Sequence, residues 1–213
     1  MTRRRWRLLG GAATIVVALF LAGCGSDAQY LANEDHEIFV KLTDEWTVLV
    51  VEAADESAAD PEADPDALPW QRVFDRSSEP QLGHFTAAVP TEPVGLIAAV
   101  EPSAGARDSL SLSDLRSFAV GGDPLELAEQ GTMSLQMLGN VQDYDVNGNH
   151  GNRVRFSFVP QEGGPEVVVD QVAVTDPGRT RIYVIQVKCE AECFREHLGE
   201  IDEIISSFHI GDQ

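Results

Sequence analysis

The sequence predicts an α+β domain, an antiparallel β-sheet flanked by helices, behind a cleaved leader. Three observations carry that expectation. Residues 141 to 188 hold four stretches of period-two character separated by short, turn-forming links. The closing segment, 194 to 210, repeats its apolar residues at helical spacing instead. The first 23 residues run from a basic head through an uncharged apolar body to small residues, the layout of a secretory signal.

The leader comes first. Arg3, Arg4, Arg5 and Arg7 precede a run from Leu8 to Ala22 without a charge. A bilayer span needs about 20 apolar residues, so residues 1–23 read as a signal peptide and not as a permanent helix. Leu21-Ala22-Gly23-Cys24 resembles the lipobox of bacterial lipoproteins, in which the cysteine thiol receives a diacylglyceryl group, with acyl chains such as palmitate, before the signal is cut ahead of it. Cys24 is therefore the expected lipid attachment site. Each buried methylene contributes about 0.8 kcal/mol, so two or three chains hold a domain firmly to the bilayer. The expected location is the outer face of the cytoplasmic membrane. Thr2-Arg3-Arg4-Arg5-Trp6 only loosely resembles a twin-arginine signal, which leaves the general secretory route as the default. Residues 24–33 open with small polar residues and read as a short tether; 34–213 read as one domain.

Charge narrows the partners. The leader holds four of the 15 basic residues and none of the 35 acidic ones, so the remainder sets 11 against 35, a formal charge of −24. Such a field repels nucleic acid and anionic headgroups. Nucleic-acid binding is excluded, and the charge keeps a tethered domain soluble, although an acidic surface can recruit basic partners. With Cys24 acylated, Cys189 and Cys193 remain, and an even pair in an exported chain implies a disulfide. Its loop is short and contributes only roughly 2 kcal/mol.

Along the domain, HEIFVKL and EWTVLVVEAA, joined by Thr43-Asp44, read as a hairpin that begins a sheet. Residues 54–69 are dense in Asp, Glu, Ala and Pro and read as an acidic loop. Its Asp60, Glu62, Asp64 and Asp66 lack the central Gly that would organise a calcium site. Residues 83–90 and 94–101 are two strand candidates. Ser111 or Ser113 can cap a short helix through LRSFA, and Pro124 suits the first turn of another that extends toward Leu138. Then VQDYDV, GNRVRFSFV, EVVVDQVAVT and RIYVIQVK form a meander linked by NGNH, PQEGGP and DPG. Val154, Phe156 and Phe158 share one face of their strand, and Arg153, Arg155 and Ser157 the other. Phe194, Leu198, Ile201, Ile204, Ile205 and Phe208 mark an amphipathic helix lying on the sheet.

In this order, HEIFVKLTDEWTV, SLSDLRSFA, DVNGNHGNRVRFSF, the strands QVAV and RIYVIQV, and IISSFHI resemble the actinobacterial LpqN-type lipoproteins. Those belong to the wider PsbP-like α/β/α fold, shared with the extrinsic photosystem protein and a Ran-GTPase-binding nuclear import factor. The resemblance covers roughly residues 34 to 210. It implies a central antiparallel sheet between helices and a role in binding or scaffolding other proteins. It carries over no catalytic residue, because the family shares no active-site motif. The acidic insert and the Cys189, Cys193 pair depart from its common pattern.

Candidate chemistry is sparse. Asp143, Asp145, Asn147 and Gly148 match the opening of a calcium loop, but position twelve is Val154 where a bidentate Glu belongs; a hairpin turn is the expectation. Cys189-x3-Cys193-x3-His197 resembles the dinuclear copper loop of oxidase electron-transfer subunits, yet Glu200 stands where a Met is needed and Phe194 where a Gly is needed. No metal and no cofactor are expected. No Gly-x-Ser-x-Gly or Ser-x-x-Lys is present, and His36, His84, His150, His197 and His209 mark no shared site. The expectation is a non-enzymatic envelope lipoprotein, membrane-bound through Cys24, that binds or helps assemble another envelope protein. The alternative is a carrier or sensor of a small apolar ligand or lipid held between sheet and helix. A filled sheet–helix interface favours the first and an apolar cavity of a few hundred cubic ångströms the second.

Overall fold

A computed structural model of the chain describes residues 28–51 and 70–211. The signal peptide, Cys24 and the acidic loop 54–69 lie outside the described residues.

The chain opens with β1 (Ala28–Asn33), β2 (Ile38–Thr43), β3 (Thr47–Val50) and β4 (Trp70–Asp75). Next come α1 (Leu82–Thr86), β5 (Val94–Val100), α2 (Ala104–Ser109), α3 (Leu112–Arg116) and α4 (Pro124–Glu129). The meander β6 (Gln136–Val146), β7 (Asn149–Phe158), β8 (Val167–Thr175) and β9 (Ile182–Glu190) follows. The chain closes with α5 (Ala191–Glu196), α6 (Leu198–Ser207) and β10 (His209–Ile210). Seven strands make one sheet in the order β3-β4-β5-β9-β8-β7-β6, and a second sheet has the order β1-β2-β10. Every pairing is antiparallel.

The large sheet is covered on both faces. Val168, Val172, Val174, Tyr183, Ile185 and Val187 turn toward α6 and the small sheet, where they meet Ile201, Ile204, Ile205, Val40 and Trp46 in the main core. The Trp46 and Phe74 rings pack edge to face at 5.3 Å, and Gly95 makes room, since a Cβ there would lie 2.1 Å from the Phe74 ring. On the opposite face Val154, Phe156, Phe158, Val167 and Val169 pack under α4, while Ala173, Ile182 and Val184 pack under α3. Two fully buried amides help hold α3 down: Asn152 Nδ2 donates to the Leu112 carbonyl at 3.2 Å and Gln171 Nε2 to the Leu115 carbonyl at 2.9 Å. The result is an α/β/α sandwich whose second outer layer is shared between helix and small sheet.

Local signals held where a specific atom fixes the backbone. Ser111 and Asp114 form a reciprocal capping box on α3. Asp123 caps α4 ahead of Pro124, and Asn147 and Gly148 both take positive φ at the β6–β7 turn. Several boundaries moved. Residues 28–33, assigned above to the tether, are strand β1 in full register with β2. The expected hairpin of β2 with β3 does not form: Trp46 turns the chain into the core, and the two strands enter different sheets. Residues 82–86 are α1 and not a strand. Helix α4 stops at Glu129, before left-handed Gly131, and β4, absent from the sequence expectation, fills the place beside β3. The terminal helix is two helices, broken at His197 with Gly199 following.

Candidate functional site

Among the described residues, four clusters of polar groups fasten one element to another. The first suggests hydrolytic chemistry. Asp75, at the end of β4, is fully buried. Its carboxylate accepts the Ser77 amide at 2.8 Å, the Gln81 amide at 3.0 Å and His84 Nδ1 at 2.8 Å. Ser77 Oγ lies 3.2 Å from the same Nδ1. A relay needs the acid on one ring nitrogen and the nucleophile on the other. Here both crowd Nδ1, while Nε2 meets the Gln81 amide at 2.8 Å. With Nδ1–H donated to Asp75 and Nε2 occupied, His84 cannot act as base toward Ser77. Burial pushes the Asp75 pKa up, but the amides of Ser77 and Gln81, with His84, outweigh it and hold it below the usual carboxylate value. The cluster organises the loop that leads into α1.

Glu200 on α6 centres the second cluster. Its Oε1 accepts Thr43 Oγ1 at 2.9 Å and Trp46 Nε1 at 2.7 Å, and its Oε2 accepts Arg76 Nε at 3.1 Å. Arg76 also pairs with Glu45, and His197 Nδ1 stands 3.7 Å from Oε2. One carboxylate thus joins the small sheet, the β2–β3 turn and the loop after β4 to α6. The residue that spoils the copper motif is a structural joint.

In the third, Arg153 and Arg155 of β7 converge on fully buried Asp170 of β8 and on Asp202 of α6. Bonding to Asp170 raises the Arg153 pKa, and the Asp202 carboxyl is held low by the two guanidiniums against its own desolvation. Arg155 also sits 5.5 Å over the Phe194 ring. The arginine face read from RVRFSF is a polar seam locking α6 to the meander. The fourth is Arg116 with Asp123, a buried pair closing the α3–α4 turn.

Cys189 of β9 and Cys193 of α5 form a disulfide, and both are buried. Oxidised sulfurs are not thiolate ligands, so the copper-like spacing has no donor set. The described residues contain no group of three or more His, Cys, Asp or Glu side chains placed to hold a metal ion. The five histidines stand apart. His36 lies beside Trp70, His150 on the β6–β7 hairpin near Asp145, and His209 stacked on Phe39; His84 and His197 belong to the clusters above. Asp145 accepts the Gly148 amide within its turn.

Surface grooves open among the described residues. One, of about 350 Å³, lies between α3 and the turns of the meander, lined by Leu110, Leu112, Leu115, His150, Asp176 and Arg179. Another, about 650 Å³, runs between β2 and α6 past Lys41, Thr43, Glu203 and Ser207. A third, about 570 Å³, borders Tyr30, Glu34, Glu37 and Phe39. All open to solvent. The interface between the large sheet and α6 is filled, with Ile201, Ile204 and Ile205 at most 2% exposed. No helix among the described residues is long and apolar enough to cross a membrane.

No protein-family model and no curated protein matches the chain. Solved structures do. The cyanobacterial PsbP protein CyanoP of Synechocystis sp. PCC 6803 is similar over 89% of this chain and 96% of its own, at 14% identity and a TM-score of 0.50. The fold is PsbP-like. Weaker similarities are to LpqN of Mycobacterium tuberculosis, described as involved in cell envelope biogenesis, at 13% identity, 87% and 91% coverage and a TM-score of 0.46, and to the Ran-binding protein Mog1p of Saccharomyces cerevisiae at 15%, 88% and 97%, and 0.44. In this PsbP-like domain the clusters around Glu200 and Asp170 escaped the sequence, because their members lie up to 157 residues apart, as Thr43 and Glu200 do; the Asp75 cluster is local, its partners lying within nine residues.

Proposed function

We propose that this chain is an LpqN-type envelope lipoprotein of actinobacterial kind, acylated at Cys24 and non-enzymatic, whose PsbP-like domain holds another envelope protein at the outer face of the cytoplasmic membrane. The carrying observation is the filled sheet–helix interface: Ile201, Ile204 and Ile205 leave no space for an apolar ligand between α6 and the sheet. That favours surface recognition over carriage. The Asp75, Ser77 and His84 geometry disfavours nucleophilic hydrolysis. The anchor rests on Leu21-Ala22-Gly23-Cys24, and the family reading on the order of motifs from HEIFV to IISSFHI.

Two experiments test it. Cys24→Ala should abolish metabolic labelling by fatty acid and release the domain from membranes; undiminished labelling refutes the anchor. Crosslinking in intact cells followed by capture from membranes should recover one protein repeatedly. Recovery of phospholipid or a small hydrophobe alone refutes the scaffold and supports the carrier.

A further inference from the structure

The small sheet has two unlike faces. Leu31, Ile38, Val40, Leu42 and Ile210 turn inward and are at most 5% exposed. Strand alternation turns Tyr30, Ala32, Phe39, Lys41 and His209 outward. Tyr30 is registered with Lys41 and Ala32 with Phe39, and Phe39 with His209, so the five make one patch. The Phe39 and His209 rings stack at 4.7 Å. Tyr30 is 63% exposed, and Lys41 is exposed beside it.

The chemistry of this patch is the reverse of the chain's. The strands AQYLAN, IFVKLT and HI contain no Asp or Glu, although the whole sequence has 35. Their ionisable groups are Lys41, His209 and the Tyr30 phenol. An exposed tyrosine ring with part-buried Phe39 and His209 beside it, a cation and the absence of carboxylates suit the bilayer interface. Aromatic rings of this kind settle at headgroup depth, and one surface lysine contributes about fivefold to partition onto an anionic membrane.

Chain length brings the patch to the membrane. Cys24 precedes Ala28 by four residues, which fixes their Cα atoms within about 14 Å however the intervening chain runs, and Tyr30 within about 22 Å. We propose that the outer face of β1, β2 and β10 is a membrane-contact surface, lying against the headgroup layer with Tyr30 and Phe39 at the interface and Lys41 on lipid phosphates. This rests on acylation of Cys24. Glu34 and Glu37 in the β1–β2 turn and Glu203 on α6 edge the patch and remain at its aqueous rim. The layer of α3 and α4, across the large sheet, then points away from the bilayer and is open to a protein partner.

Photolabelling tests this. The full acylated chain is reconstituted into phosphatidylcholine–phosphatidylglycerol vesicles containing a diazirine phospholipid, irradiated, and mapped by peptide mass spectrometry. Label is expected on peptides holding Tyr30, Phe39 and Lys41. Combined Tyr30→Ser and Lys41→Glu should lower it by at least about fivefold, with Cys24 still acylated and the circular dichroism spectrum unchanged. An acylated, vesicle-bound wild-type chain labelled as strongly at Leu112 and Phe118, exposed by 37% and 40% on the far side, overturns the contact surface and leaves the anchor standing. A chain without lipid on Cys24 that stays in solution overturns both.

Discussion

Ile201 stands one turn into α6 with no exposed surface, among Ile204, Ile205 and the inward side chains of β8 and β9. Ile201→Ala deletes three carbons, about 2.4 kcal/mol of transfer free energy at roughly 0.8 per buried carbon. The cavity left in a rigid interface brings the loss to about 3 kcal/mol, within the 2–5 seen for such truncations. For a domain of this size that lowers the melting temperature by roughly 6–12 °C. Urea titration of the disulfide-intact protein reads the effect through Trp46, which is 2% exposed when folded. The midpoint should fall with an unchanged slope, since the surface exposed on unfolding hardly differs. Ser206→Ala, on the solvent side of the same helix, should stay within about 0.5 kcal/mol. A loss below about 1 kcal/mol for Ile201→Ala would mean that the interface is loosely filled. The case against a ligand-carrying interior would then collapse.

Three further perturbations probe the polar clusters. Asp170→Asn leaves two guanidiniums facing a neutral amide and should cost about 3 kcal/mol or more; a double-mutant cycle with Asp202→Asn should show coupling, and strict additivity in urea midpoints would contradict the shared seam. Asp75, Asp123 and Asp202 all titrate below their unfolded values, so their stabilisation is present above the unfolded carboxylate pKa of about 3.9 and is lost as pH falls through the folded values. Acid titration of Asp75→Asn should accordingly show a shallower decline below about pH 4, and an acid limb identical to wild type would refute the assignment. Reducing Cys189–Cys193 should lower stability by roughly 2 kcal/mol, with the thiols unreactive to a soluble reagent until the domain unfolds.

Legibility followed the range of the forces. The meander could be read because each strand carries its own alternation and each link its own turn chemistry, as with Asn147-Gly148. Helix starts could be read at Ser111 and Pro124 because a cap and a first-turn proline act within a few residues; their partners Asp114 and Asp123 are seen only in the structure. Helix α1 was missed because no side chain caps it; it is tied to Asp75 through Gln81 and His84, which propensity cannot register. The β2–β3 hairpin was wrongly expected because turn and strand signals there are sound, and only the burial of Trp46 against Phe74 and Glu200 separates the strands. Cys24 was named from the Leu21-Ala22-Gly23-Cys24 motif, and Cys189 and Cys193 from an even pair in an exported chain, whereas the clusters about Glu200 and Asp170 exist only once distant elements meet; the Asp75 cluster spans only residues 75–84 but depends on a loop geometry that no residue pattern announces.

The small sheet gives those distant contacts a purpose. Its middle strand, β2, takes β1 on one side and β10 on the other, so the first and last described elements of the chain are held by one strand. If Cys24 is acylated as proposed, any pull from that anchor enters through β1, whose six residues are all registered on β2. From there it passes to α6 by two routes: Ser207 Oγ, which accepts the Lys41 amide at 2.9 Å, and Glu200, which accepts Thr43 and Trp46. A two-stranded ribbon alone is marginal in water. Fastened near the C-terminal end of β2 to both ends of α6, and through α6 to the seven-stranded sheet by the Arg153, Arg155 and Asp202 seam, it transmits load to the main core instead of peeling from it. Glu200→Ala should therefore loosen β1 and β2 selectively, seen as faster amide exchange there than in β8 and β9; uniform acceleration across all four strands would show that the small sheet unfolds only with the whole domain.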